Sequence, residues 1–423
     1  MIQSESIVSA YAPPFKIVLK YFIAAVLAFV TLNFLLIINY ADISGFHFQP
    51  KILALTHIAT LGWITMIIFG AMFQLVPVVL EVKLYSEKLA EIQFWIFLVG
   101  IIGLVTGFWN FDTGIHLTAS AIILNIAIFI FAFNIIFSMT KVKKWNLTGL
   151  YLAAAIFYLI TTAIAGLLLS INLGFPFISI NHLQYLNLHA HVAFIGWVSM
   201  VIMGVSFKLI PMFALSHDYS TKPGAAAFWL INIGLLGIST VMHYEKLSTF
   251  FYISVILIVI GIFFFLYQMY LIFSKRLRKK SDIGIRFSKF AYILLGITTL
   301  MGLLIAFTNI SEEMNMTLIY GYLLIFGYIS MLIVGQLYKI MPFLVWYHRY
   351  SSKVGIEPVP MLKDMYKEKI ANIGFYFMIT ALAGVIISFA INAPVGLLLS
   401  FIIMFIGSLI FLYNFSYILI KAK

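Results

Sequence analysis

The sequence predicts an all-α polytopic membrane protein: twelve transmembrane helices in three pseudo-threefold-related four-helix units. Three observations carry that reading. Of the 423 residues, 63% are hydrophobic and 9% charged, with a mean hydropathy of +1.09; ordinary soluble domains carry about 25% charge and about 45–50% apolar residues. The apolar residues fall in runs of about 20 or more, the length that crosses a hydrocarbon core about 30 Å thick. A helical motif also recurs three times in register. A soluble enzyme, a secreted domain and a disordered chain are thereby excluded.

In chain order, the first run, 15–41, is of full span length and lacks the short apolar core and small-residue cleavage site of a signal peptide, so it is expected to stay. The second, 50–79, carries the first copy of the motif, and the third and fourth, 88–108 and 114–139, complete one repeat over 15–139. The second repeat, 148–274, holds spans at 148–173, 182–214, 224–243 and 247–274. The third, 287–420, holds spans at 287–308, 316–346, 370–391 and 394–420. The whole chain, 1–423, reads as a single transmembrane domain, with polar loops of some size only at 275–286 and 347–369.

The motif reads His57-Ile-Ala-Thr-Leu-Gly62-Trp63, then Met66, Gly70 and Pro77, in helix 2. Helix 6 reads His191-Val-Ala-Phe-Ile-Gly196-Trp197, then Met200, Gly204 and Pro211, and helix 10 reads Tyr322-Leu-Leu-Ile-Phe-Gly327-Tyr328, then Met331, Gly335 and Pro342. The offsets are identical and the copies start 134 and 131 residues apart, the mark of an internal repeat and of a closed threefold ring. Each glycine pair lies eight residues apart on one face, open to a neighbouring helix or a flat ligand, with helix packing the commoner use. The prolines are expected to kink or stop their helices.

All of the 26 Lys and Arg except Lys51 and Lys246 fall at one end of the bundle when the spans alternate, whereas Asp42, Asp112, Glu245, Glu312 and Glu313 fall at the other. By the positive-inside rule the basic end is cytoplasmic, so both termini are expected there, in a bacterial inner membrane. The net charge of +12 then reflects topology and contact with the lipid bilayer, and no nucleic-acid partner is expected. Lys208 and Lys339, three residues before their prolines, are expected to snorkel toward the surface. No carboxylate lies in the middle of a span; Glu91 is near the inner end of helix 3.

With no cysteine, disulfides, iron–sulfur clusters, thiolate-ligated haem or copper and c-type haem are excluded, and any metal must use histidine or oxygen. Of nine histidines, His47, His57, His116, His182, His189, His191 and His243 belong to the outer half, and His217 and His348 to the basic side. His57, His189 and His191 lie within spans, where polar side chains are costly and usually functional, although a helix-to-helix hydrogen bond is the bland alternative. Residues two apart on a helix point about 200° apart, so His189 and His191 suit two different centres. His182, seven residues before His189, shares its face and could be a further ligand or an orienting partner. His57 occupies the repeat position of His191, so a bis-histidine haem b between helices 2 and 6 would use both.

These residues and the twelve-helix plan resemble the haem–copper oxidase subunit I superfamily, and within it the short oxidase-like membrane proteins of the NnrS family. The resemblance implies His57 as a haem ligand and, by helix number, His191 or His189 as a copper ligand; the local His-x-His motif suggests a different job, with His191 toward one centre and His189 toward the other. Copper is the second cofactor the resemblance implies; the candidate metal set is His189 with His182 on its face and His243 at the outer end of helix 7, and Gly62 and Gly196 are where their spacing would let a cofactor approach. Helix 10 departs from the family: Tyr322 stands where histidine would, and no His-x-His is present. Helix 7 has only His243, at its outer end, and Ala193 and Ile195 replace the tyrosine one turn after the copper histidine. Oxygen reduction with pumping is therefore not expected.

Two function classes remain open. The first is a haem- and copper-containing oxidoreductase or gas-binding protein, handling nitric oxide or another diatomic gas or passing electrons to a redox partner on the outer face, with homo-oligomers open to it. The second is a metal-free or single-metal (copper or zinc) scaffold or transporter on the same fold.

Overall fold

The computed structural model describes residues 11–43, 48–179, 181–241, 248–278, 280–308 and 315–421. Among these residues twelve helices are long and apolar enough to cross a membrane: α1 Phe15–Ile38, α2 Pro50–Leu80, α3 Glu87–Trp109, α4 Ile115–Met139, α5 Leu147–Gly174, α6 His182–Ala214, α7 Lys222–Val241, α8 Ser248–Ser274, α9 Ile283–Phe307, α10 Met316–Lys353, α11 Glu368–Ala390 and α12 Pro394–Ile420. The protein is an integral, all-helical membrane protein. Away from its ends, a helix satisfies its backbone N–H and C=O groups within its own segment, which an apolar solvent demands. Polar residues start several helices: the side chains of Ser86, Asn146, Asn181 and Asp282 accept from the backbone N–H groups of Leu89, Gly149, Gln184 and Ile285 at 2.8–3.3 Å.

Every helix end falls within four residues of its expected place except that of α10, expected at 346 and found at Lys353. The repeat prolines explain the contrast. Three residues beyond Pro77 and Pro211, α2 and α6 stop at Leu80 and Ala214, each followed by a left-handed residue, Glu81 or Leu215, at φ +54°. The N–H groups of Val82 and Ser216 then donate to the Pro77 and Pro211 carbonyls at 3.0 Å, closing the turn. Beyond Pro342 no left-handed residue intervenes and the helix runs on, with the Trp346 indole donating to the Pro360 carbonyl at 2.6 Å.

The chain divides into two compact units: Met1–Tyr21 with Thr65–Leu277, and Phe22–Ile64 with Arg278–Lys423. In the first, α3 packs antiparallel on α4 and α7 on α8; in the second, α11 packs on α12. These three hairpins are the third and fourth helices of the three sequence repeats, and they share two devices. A Cβ added at Gly103, Gly237 or Gly384 would run into the hydroxyl of Ser120, Ser254 or Ser400 on the facing helix, so the backbones touch where the small residues meet. A fully buried amide on the fourth helix also holds the start of the third. Asn134 accepts from Ser86 N–H at 3.0 Å and donates to its carbonyl at 2.8 Å. Gln268 accepts from Gly224 N–H at 3.1 Å, and Asn414 from Lys367 N–H at 2.9 Å.

Five of the six motif glycines serve packing. In the first unit, Gly196 and Gly204 face Tyr158 and Tyr151 of α5, where an added Cβ would lie 2.5 and 2.7 Å from ring or Cβ carbons. In the second, Gly62 faces Ala28 of α1, and Gly327 and Gly335 face Leu294 and Phe287 of α9. The second helix of each repeat thus packs its glycine side on the first helix of the same repeat. On this face, where a flat ligand is the alternative at Gly62 and Gly196, the neighbours are Ala28 and the Tyr158 ring.

Candidate functional site

All three motif helices widen at the same place. Ile58–Thr65, Val192–Ser199 and Leu323–Ser330 are π-helical, eight residues each, and each begins at the residue after His57, His191 or Tyr322. Such widened turns are rare and cluster at functional sites. Here each carries the motif glycine at its fifth position, where the neighbouring helix presses in. The widening also turns the sixth and eighth residues toward other helices. The Trp63 indole N–H donates to Ser330 Oγ at 3.0 Å, and the Trp197 indole N–H to Thr65 Oγ1 at 3.2 Å. In both cases the aromatic of one copy meets the hydroxyl, two residues further along, of another copy.

The histidines that precede these segments are anchored alike. His57 Nδ1 lies 2.7 Å from the Leu53 carbonyl, and His191 Nδ1 lies 2.7 Å from the Asn187 carbonyl, each one turn back on its own helix. A carbonyl oxygen can only accept, so Nδ1 carries the proton and Nε2 the lone pair in both rings. This is the arrangement in which a histidine presents Nε2 as a ligand while its other nitrogen is held by a carbonyl. Thr56, His57, Thr60 and Leu61 form a partly exposed stripe on α2, whose later residues, Trp63 to Pro77, are almost all buried. His191 is likewise partly exposed, followed by partly exposed Ala193, Phe194 and Ile195.

Tyr322, the third member of the set, is buried, with its ring stacked on Phe326 at 4.4 Å. Its hydroxyl has no hydrogen-bond partner among the described residues. His189 lies against α5, where a Cβ on Gly166 would sit 2.9 Å from the imidazole Cε1, whereas His191 turns back along its own helix to Asn187, so the two rings diverge. His182 opens α6, beside the capping Asn181. His243, the remaining residue of the expected metal set, lies outside the described residues, as does His47. Among the described residues no three His, Asp or Glu side chains converge as a metal site. His116 approaches Asp112 at 3.4 Å near the exposed start of α4.

At the basic end, Lys339 does not snorkel. Its side chain is 12% exposed and its ammonium lies 2.5 Å from Asp282, which Arg278 approaches at 3.4 Å and which also caps α9. Burial, and next the charges of Asp282 and Glu368, hold the Tyr366 phenol above its ordinary range. Glu91 pairs with Lys20 at 4.0 Å. Composition and spacing gave no signal for this cluster, for the amide clamps or for the π-helical turns; the histidine pair and Tyr322 were visible from the repeat.

No protein-family model matches the chain. A protein of Aquifex aeolicus (strain VF5), described as an uncharacterized protein, is 22% identical over 305 residues, covering 69% of this chain and 71% of the relative.

Proposed function

We propose that this chain is a haem-binding membrane protein that handles a diatomic gas such as nitric oxide, or passes electrons, without pumping protons. We further propose that its three repeats form the threefold, oxidase-like scaffold to which the motif points. The observation that carries the reading is the matched anchoring of His57 and His191, each with Nδ1 held 2.7 Å from a carbonyl one turn back. The donor chemistry suits haem b, because neutral imidazoles with a fixed Nδ1–H are good iron ligands. Held by both histidines, the haem would supply an iron able to change charge by one electron, and a diatomic gas would bind at a second metal or in place of one of the two imidazoles. The chain's own contribution is orientation: the carbonyls of Leu53 and Asn187 fix the tautomer of each ring, and the π-helical turns set the depth of the helical residues beyond them.

Among the described spans, carboxylates occur only near the starts of α3 and α11, at Glu87, Glu91 and Glu368. That distribution favours a reaction that moves no proton through the membrane core. A copper site on His189, His182 and His243 is the second cofactor proposed, and metal analysis decides it. The asymmetry of Lys and Arg supports termini on the cytoplasmic side of a bacterial inner membrane.

The test is an optical spectrum of the detergent-purified protein, oxidised and dithionite-reduced, with metal analysis on the same sample. A Soret band with sharp reduced α and β bands is expected, lost in His57→Ala and in His191→Ala and kept in His189→Ala. A colourless protein from haem-replete cells, or a spectrum that survives both substitutions, overturns the reading and leaves the metal-free scaffold.

A further inference from the structure

The flank of the first unit carries a groove of about 380 Å³ between α3 and α4, lined by Leu89, Ile126, Phe129, Ile130 and Phe133 and almost wholly apolar. Its occupant can be read from its basic end. Phe133, a wall of the groove, meets the Tyr85 ring edge-on at 5.6 Å, and the Lys141 ammonium lies 6.0 Å above that same ring. Lys88 adjoins Leu89 at the foot of the groove, and Lys143 and Lys144 follow Lys141 in the loop; all four lysines are exposed. The acidic neighbours are Glu87, at the first turn of α3, and Glu91, paired with Lys20. The apolar channel thus opens beneath a cationic rim, with Tyr85 joining the two.

We propose that this groove is a binding site for an anionic phospholipid, one acyl chain lying along Ile126, Phe129 and Phe133 and the phosphate held by Lys141 and Lys88. An open apolar groove along one face of α4, with Leu89 of α3 at its foot, fits a hydrocarbon chain, and lysines at one end fit the negative headgroup that such a chain carries. Bulk lipid would also wet the groove; the rim is what makes the site selective for charge. The proposal needs only the membrane-spanning fold and is independent of any haem.

Native mass spectrometry of the full chain, delipidated in detergent and titrated with phosphatidylglycerol or phosphatidylcholine, tests it. Phosphatidylglycerol is expected to be retained preferentially, and Lys141→Gln and Lys88→Gln are each expected to cut that preference about fivefold. Ile126→Trp, which fills the groove, is expected to lower retention of both lipids, and glycerol phosphate is expected not to compete. Thermal midpoints of the variants check that they fold, and the lysine variants, at exposed positions, keep the test alive if Ile126→Trp does not. Equal retention of the two lipids by the parent, or a preference unchanged in the double lysine variant, overturns the proposal.

Discussion

Tyr322 is the residue at which fold and function make opposite demands. A buried hydroxyl without a partner costs about 1–3 kcal/mol, because it has left water and gained nothing in exchange. Its ring needs no such concession, since it stacks on Phe326. Tyr322→Phe is therefore expected to raise the stability of the ligand-free protein by about 1 kcal/mol or more, read as a higher thermal midpoint in detergent. If the substitution instead lowers the midpoint of protein purified with its natural complement of cofactors, the hydroxyl has a partner supplied by a bound group. The repeat alone identified this position, because Tyr322 falls where the other copies place histidine. What spacing could not supply is the anchoring of His57 and His191: a carbonyl one turn back is available to any helical residue, and only the side-chain rotamer decides whether it is used. The Lys339–Asp282 pair was hidden for a different reason. The partners are far apart in sequence, and a lysine near a helix end in an apolar run gives the same pattern whether it reaches the surface or an ion pair.

The same division between what pattern shows and what packing decides holds for the elements. Span positions were legible because, in an apolar solvent, run length and helix length are nearly the same quantity. The π-helical turns were not, since they depend on how closely a neighbour approaches Gly62, Gly196 and Gly327, and a glycine in an apolar run reads alike in either kind of helix. The buried amides Asn134, Gln268 and Asn414 are polar residues in otherwise apolar runs, and nothing in the sequence says that they hold the starts of α3, α7 and α11. Each satisfies a backbone N–H at a helix N-terminus, where no intrahelical partner exists. Replacing any of the three by alanine is expected to cost about 0.6 kcal/mol and at most about 1.7, the mean and the maximum for hydrogen bonds between membrane helices. Asn134→Ala is expected at the upper end, because Asn134 makes two bonds below 3.1 Å to Ser86. Unfolding by SDS titration in mixed micelles reads these differences. A loss below about 0.2 kcal/mol at all three sites would show the clamps to be incidental to the hairpins, against the interhelical range.

At the scale of the whole molecule, the alternation of twelve spans and the distribution of charge make one joint claim. If each helix of α1 to α12 crosses, the α4–α5 and α10–α11 loops share a side, and the α3–α4 and α5–α6 loops share the other. Lys144 and Lys363 are exposed in the first pair of loops, and Asp112 and Ser179 in the second. The chain contains no cysteine, so single-cysteine variants at these four positions give an unambiguous label in an otherwise silent background. In intact cells, a membrane-impermeant maleimide is expected to label Asp112→Cys and Ser179→Cys, and to label Lys144→Cys and Lys363→Cys only after permeabilisation. The charge argument and the span count fail separately. Labelling of the opposite pair would leave twelve crossings intact and reverse the orientation, which would remove the positive-inside argument and place the histidine-bearing ends of α2 and α6 toward the cytoplasm. Labelling of one member from each pair would mean that a helix between them does not cross. The threefold scaffold would then fail as well, because equivalent helices of the three repeats can lie at one depth and in one direction only if every repeat contributes four crossings.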